Sequence, residues 1–250
     1  MEFERIADIK RLNFIIDILE KKLPSGAEVL DVGCGNGVIS RSLGEKGFTV
    51  KGIDVSEKAI TRARELNRSP NVRFEVVSAE ELVADGHHFH AVICSEVLEH
   101  LNDPGKLLNV LHQLLDEDGA LIVTVPNGKG PRELLVTRPV IALQKKNNWM
   151  WRGLQKMKQV FGYRGTTVQS SADDLTHIQF FTKSSLQELA NSTRFNIIRF
   201  GKTNFIEDVF PFSFFAKKIK ALQKFDCAVA ELLPYRMTGG FMTVWEKTVN

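Results

Sequence analysis

Three side chains in the segment SEVLEH, 95–100, can do chemistry together. Glu96, Glu99 and His100 stand at i, i+3 and i+4, a spacing that puts them on one side of a helical turn. Two carboxylates and an imidazole on one face suit a divalent cation. Alternatively, His100, with Glu99 beside it, takes the proton of a reacting hydroxyl as a general base. A second chemical stretch is VLDVGCGNGVIS, 29–40, where Gly33, Gly35 and Gly37 alternate with Cys34 and Asn36. Glycine at every second position lets the backbone turn sharply and approach a ligand closely, and the helix that follows starts with free N–H groups. The spacing differs from the GxGxxG of a dinucleotide site. Asp54 ends a strand-like run about twenty residues beyond the loop, where a carboxylate accepts both hydroxyls of a ribose.

These residues need a frame. Apolar positions Ile6, Ile9, Leu12, Ile15, Ile16 and Leu19 recur at helical spacing over 3–23. Pro24-Ser25-Gly26 ends that helix. Strand-like runs follow at 48–55, 72–79 and 89–97, after the one that leads into the glycine loop. Between them lie a helix over 38–46 and another capped by Ser56. Asp103-Pro104 opens a further helix, with Pro at its first position, and Asp118-Gly119 reads as a turn into a fifth strand over 120–127. Later come a helix starting at Thr182 or Ser184, a strand over 195–204 and a strand over 239–248. Strands that alternate with helices and read as nearly continuous apolar runs predict an α/β fold, a mostly parallel seven-stranded sheet with helices on both faces. Because Glu96, Glu99 and His100 follow the fourth strand, they lie at the carboxyl end of the sheet, where ligands bind.

Two stretches interrupt the alternation: 128–176, without strand signals, and a helical segment over 205–236. The chain reads as a single domain over 1–250 carrying both as insertions. The first is basic: 128–164 holds nine Lys or Arg and one acid, Glu133, against a net charge of +3 for all 250 residues. Its apolar residues and Trp149 and Trp151 approximate helical spacing, and the second insertion sets Phe214, Phe215, Ile219, Leu222, Phe225, Val229 and Leu232 against several lysines. A basic amphipathic helix suits an anionic surface. The same pattern suits a cap with apolar faces turned inward, and the two readings are compatible. His87, His88 and His90 read as members of a solvated loop rather than a metal cluster. The three cysteines, Cys34, Cys94 and Cys227, form no CxxC pair and fit a reducing compartment. MEFERIADIKRL is too charged for a signal peptide and no apolar run is long enough to span a bilayer, so a cytoplasmic location, peripheral at a membrane surface if the insertions touch one, is expected. The modest net charge and the absence of an aromatic RNA-binding motif count against nucleic acid.

The GxGxG loop with Asp54 resembles the cofactor loop of class I S-adenosylmethionine (SAM) methyltransferases, over about 26–127 closely and 176–248 loosely. That resemblance implies a Rossmann-like sheet whose last strand enters antiparallel beside the fifth, and SAM as the cofactor. It implies that the 33–37 loop (Gly33, Cys34, Gly35, Gly37) lies against the methionine part of SAM and that Asp31 bonds the loop or meets the cofactor amine through water. It implies Asp54 on the ribose, Ala79 N–H at the adenine ring, and Ser95 at the cofactor end of the fourth strand. The family's adenine-binding aspartate position holds Ser78 here, so Glu80 either supplies that carboxylate or is a solvated helix start. The ExxEH of Glu96, Glu99 and His100 resembles that of the ubiquinone-biosynthesis O-methyltransferases and of the small-RNA 2′-O-methyltransferases, where a later histidine completes a metal site; His177 is the matching candidate here. The reading is then O-methylation of a hydroxyl on a small-molecule or lipid-like acceptor, with a divalent cation such as Mg2+ or with His100 as base. RNA 2′-O-methylation and a non-catalytic SAM-binding partner subunit are the alternatives.

Overall fold

A computed structural model describes residues 3, 5–131, 134–135, 178–207, 209, 212–216 and 219–248. Most of the first insertion, with its two tryptophans, and His177 lie outside the described residues. The elements in chain order are α1 (Ile6–Lys22), β1 (Glu28–Val32), α2 (Val38–Glu45), β2 (Thr49–Asp54), α3 (Glu57–Leu66), β3 (Val72–Val76), α4 (Ala79–Ala84), β4 (Phe89–Ser95), a 3₁₀ turn (Leu98–His100), α5 (Pro104–Leu114) and β5 (Leu115–Pro126). After the first insertion come α6 (Lys183–Ser192), β6 (Phe195–Lys202), α7 (Phe212–Ala216), α8 (Lys220–Leu232), a 3₁₀ turn (Tyr235–Met237) and β7 (Gly240–Lys247).

The seven strands form one sheet in the order β3-β2-β1-β4-β5-β7-β6. Strands β1 to β5 are parallel, and β7 runs antiparallel between β5 and β6. The sheet is covered on both faces, as its apolar strands require. On one face α1 and α2 pack Ile15, Leu19, Val38 and Leu43 over Val29, Ile93 and Ile122; on the other, Leu108, Leu111 and Leu114 of α5 and Leu186 of α6 cover Leu30, Val92, Leu121 and Trp245. Strand order reverses between β1 and β4, so the crevice outside their carboxyl ends is the expected ligand position.

The local signals act as expected at several boundaries. Ser56 caps α3 by accepting from Ala59 N, Asp103 caps α5 by accepting from Lys106 N, and Thr182 caps α6. Other boundaries differ. The third strand stops at Val76, because Ser78 forms a capping box with Glu81 and starts α4 at Ala79. The fifth strand starts at Leu115 rather than after Asp118-Gly119: Leu115 already pairs with Phe89, and a register shift absorbs the intervening residues before Ala120 meets Ala91.

The second insertion packs on α1. Gln223 Oε1 accepts from Ile6 N at 2.9 Å, Lys10 pairs with Glu231 at 2.6 Å, and Lys202 donates to the carbonyls of Glu231 and Leu233. Its described residues contact α1, while 208, 210–211 and 217–218 of this segment lie outside the described residues. Among the described residues, no helix is long and apolar enough to cross a membrane.

Candidate functional site

The glycine loop turns because Gly33, Gly35 and Gly37 all have positive φ, at 67°, 57° and 76°. At Gly33 a Cβ would stand 2.5 Å from Val97 Cγ2, and at Gly37 one would stand 2.4 Å from Phe74 Cζ. Neither position tolerates a larger residue without moving its neighbour. Cys34 N donates to Ile53 O at 3.0 Å, tying the loop to β2, and Gly35 N donates to Asp54 Oδ2 at 3.0 Å. Asp54 Oδ1 accepts from Ser56 N at 2.8 Å. Each carboxylate oxygen keeps a further lone pair for a ligand.

A cavity of about 570 Å³ opens at this point. The loops after β1, β2, β3 and β4 and the start of α5 line it, which is the crevice the strand order requires. Gly33, Gly35, Asp54, Ala79, Glu80, Ser95, Glu96 and His100 are all on its wall. Asp31, Cys34 and Gly37, grouped with them on sequence grounds, stand behind it: Asp31 is 1% exposed, Cys34 is 3% exposed and Gly37 packs on Phe74. Lys106, Leu107 and Asn102 line the cavity without any sequence signal. Lys106 Nζ lies 3.5 Å from Glu80 Oε1, so the candidate adenine-side carboxylate has a solvated cation across the mouth.

Asp31 accepts a 2.5 Å hydrogen bond from Ser40 Oγ. Burial pushes its carboxyl up to about 7, and the charge of Asp54 adds to the shift, while the Ser40 bonds oppose it. Holding the proton more tightly in the folded state than in the unfolded chain means that stability falls as pH rises from about 4 to about 7, and the loss is complete above that window. Fully expressed, that loss is on the order of 4 kcal/mol. Asp31→Asn keeps an acceptor for Ser40 and removes the ionisation. Its melting temperature relative to wild type is therefore expected to rise between pH 5 and pH 8; parallel curves would show that Asp31 does not titrate there.

The acceptor side departs from the helical turn implied by i, i+3, i+4 spacing. Glu96 has φ 58°, a left-handed conformation that costs a non-glycine residue about 1–2 kcal/mol, and only Leu98–His100 forms a turn, of 3₁₀ type. Glu96 N donates to Thr124 O at 2.9 Å, which fixes the kink to β5. Its side chain turns to Arg11 Nη1 at 2.9 Å and accepts from Thr124 Oγ1 at 2.9 Å, while Ser95 Oγ meets Thr124 Oγ1 at 2.9 Å. Glu99 is 1% exposed and stands behind His100, with His100 Nε2 3.7 Å from Glu99 Oε1. Among the described residues, Glu99 Oε2 is buried with no hydrogen-bond partner. Burial, with the Glu96 charge second, keeps Glu99 protonated well above the usual carboxylate range. Of this pair it is His100 that reaches the cavity.

Arg11 is the functional candidate that sequence reading missed. It is 9% exposed and lies on the core face of α1 with Ala7, Ile15 and Leu19. A cation four residues before Ile15 in an otherwise apolar stripe was the available signal. Of the three histidines, His87 and His88 precede β4 and His87 stacks on Phe89, whereas His90 is the second residue of β4 rather than of the loop, its Nδ1 accepting from Glu28 N.

A divalent cation needs several converging donors. Glu96 is already paired with Arg11, burial favours the protonated form of Glu99, and among the described residues no three His, Cys, Asp or Glu side chains are grouped to hold a metal. The described residues are therefore no preformed cation site. His177, the fourth expected ligand, is outside them; the neighbouring Ile178 and Gln179 both donate to Glu99 O, at 2.8 and 3.0 Å.

This sheet order, with the alternate-glycine loop and an acidic residue ending β2, defines a class I methyltransferase fold, and the chain belongs to the methyltransferase-domain family, whose model matches residues 3–199. Among its relatives, the ubiquinone biosynthesis O-methyltransferase of Neisseria meningitidis serogroup C is 34% identical over 141 residues, which is 54% of this chain and 58% of that protein. The protein of the same name from Pseudomonas syringae pv. tomato is 31% identical over 163 residues, 63% of this chain and 68% of that one. The chain thus spans less than two thirds of the Neisseria relative it matches. Among solved structures, the Burkholderia thailandensis 1,6-didemethyltoxoflavin-N1-methyltransferase with S-adenosylhomocysteine bound superposes with a TM-score of 0.56 at 19% identity, covering 96% of this chain and 79% of that one. The magnesium protoporphyrin IX methyltransferase of Synechocystis gives 0.55 at 18% identity, covering 97% and 84%. At these identities the structures bear on the fold alone.

Proposed function

We propose that this protein transfers the methyl group of SAM to a hydroxyl of a small-molecule or lipid-like acceptor. The observation that carries the reading is the single cavity wall on which Gly33, Gly35, Asp54 and Ala79 meet Glu96 and His100. The glycine loop takes the amino-acid end of SAM, Asp54 the ribose, and Ala79 with Glu80 the adenine. Asp31, behind the loop, stabilises the cofactor ammonium once ionised, and Arg11 beneath Glu96 is a buried cation that balances a carboxylate. SAM supplies the methyl group at its sulfonium. The chain aligns the acceptor oxygen with that carbon and excludes water. His100 takes the hydroxyl proton as the oxygen attacks, and Glu99, neutral and buried behind it, positions the imidazole. The names of the Neisseria and Pseudomonas relatives support oxygen as the acceptor atom.

A divalent cation at Glu96, Glu99, His100 and His177 is the second reading. Glu99 Oε2, without a hydrogen-bond partner among the described residues, favours it, but a cation would have to displace Arg11 from Glu96 and work against the burial that favours protonated Glu99. Methyl transfer from labelled SAM to hydroxyl-bearing phenols, with and without chelator, tests both. Transfer that survives chelator at full rate supports His100 alone; loss restored by Mg2+ supports the metal. No transfer to any hydroxyl acceptor would sink the proposal and leave the non-catalytic SAM-binding subunit. The insertions are the proposed contact to a lipid-like acceptor or a membrane surface, and RNA remains the disfavoured acceptor.

A further inference from the structure

We propose that Glu207, in the second insertion and off the cavity wall, is a positioning residue for the cofactor end of the site. It acts through a line of alternating charges carried by α1. The inference rests on the SAM-binding reading above for its functional readout, and on geometry alone for its structural one.

The line begins at Glu207, 2% exposed, whose Oε1 lies 3.3 Å from Arg5 Nε. Arg5 Nε lies 4.0 Å from Asp8 Oδ2, and Asp8 Oδ1 accepts from Arg11 Nη2 at 2.5 Å. Arg11 Nη1 then reaches Glu96 Oε1 at 2.9 Å, on the cavity wall. Arg5 is the N-cap residue of α1, and Asp8 and Arg11 follow it at three-residue steps, so the line runs along the start of that helix. Five charges thus alternate in sign from an inserted segment to the crevice.

Each end is fixed independently. Asp226, 2% exposed, accepts from the backbone N–H groups of Phe205, Ile206 and Glu207 at 2.8, 2.9 and 3.2 Å, which sets where Glu207 stands. At the far end the left-handed backbone of Glu96 and its Thr124 bonds leave its carboxylate little freedom. Glu207, Asp8 and Arg11 are largely buried, while Arg5 and Glu96 are about a third exposed, so coupling is strongest through the middle of the line and weaker, though not lost, at the two solvent-touched links. Without the Glu207 charge, Arg5 closes on Asp8, Asp8 shares its charge between two guanidinium groups, and Arg11 and Glu96 shift; Val97, the residue after Glu96, lies against Gly33, so the shift is passed from the acceptor side to the glycine loop. The second insertion therefore sets cofactor affinity without touching the cofactor.

Two measurements on the full chain test this. Calorimetric titration with SAM is expected to give a dissociation constant raised about three- to tenfold in Glu207→Gln, with partial recovery in Glu207→Asp. A double-mutant cycle between Glu207→Gln and Glu96→Gln, read by chemical unfolding, is expected to depart from additivity by more than about threefold in the unfolding constant, where uncoupled sites agree within about twofold. A merely structural Glu207 lowers stability but leaves SAM affinity within twofold and the cycle additive, and that pair of results overturns the proposal. Should Glu207→Gln not fold, Arg5→Gln, at a side chain 28% exposed, interrupts the same line. If the wild type binds no SAM, the cofactor reading falls and the cycle alone decides the relay.

Discussion

Asp54→Ala is expected to weaken SAM binding by about 10²- to 10⁴-fold in calorimetric titration. The carboxylate gives two charge-assisted hydrogen bonds to a ribose, each contributing about 1.5–3 kcal/mol. It also holds the site in shape, since its two oxygens accept from Gly35 N and Ser56 N and so join the glycine loop to the start of α3. Alanine removes both contributions. Asp54→Asn retains one acceptor and is expected to fall between wild type and alanine. Affinity within threefold of wild type in Asp54→Ala would remove the cofactor assignment, because no other acid lies at the end of β2.

His100→Ala is expected to lower kcat by about 10²- to 10⁴-fold, the usual contribution of a positioned acid–base group, while the dissociation constant for SAM changes by less than about threefold. The split follows from the geometry. His100 lines the cavity beyond Glu96, whereas the loop and Asp54 carry the proposed cofactor contacts. Single-turnover transfer with saturating SAM separates the two quantities. An unchanged rate would mean that the acceptor loses its proton to solvent, and His100 would then be only part of the wall.

The sequence made the cofactor half of this site legible and left much of the acceptor half obscure, for physical reasons. Gly33, Gly35 and Gly37 announce a turn because only glycine takes those φ values at no steric cost. Ser56 and Asp103 announce helix starts because their side chains satisfy N–H groups a few residues away. These are local effects. Glu96 adopts positive φ for a non-local reason: Thr124, on the adjacent strand, takes both its backbone N–H and its side chain. No pattern within 95–100 contains that information, so the helical spacing was misleading. Arg11 is similar, since its partners Asp8 and Glu96 are three and eighty-five residues away. The start of β5 depended on pairing with Phe89, which overrode the turn preference of Asp118-Gly119. The second insertion's apolar pattern named the wrong face: Ile219, Phe225 and Leu232 are exposed, while Gln223, Asp226, Cys227 and Ala230 are buried, with Gln223 bonded to the start of α1, because specific polar contacts rather than apolar periodicity set how this helix docks.

The antiparallel seat of β7 between β5 and β6 also dictates an order of assembly on the ribosome. Strands β1 to β5 can pair as they emerge, but the outer edge of β5 has no partner until 240–247 has been made. From Pro126 to Gly240 that interval lasts about 6–23 s at common elongation speeds. During it a long apolar edge, Leu121 to Val125, is open to pairing with other chains. Strand β6 emerges first yet, among the described residues, pairs with β7 alone, so it does not shield that edge. The nascent chain's need for protection is therefore concentrated late in synthesis, and it ends when Phe241, Thr243 and Trp245 reach their places between strands made earlier.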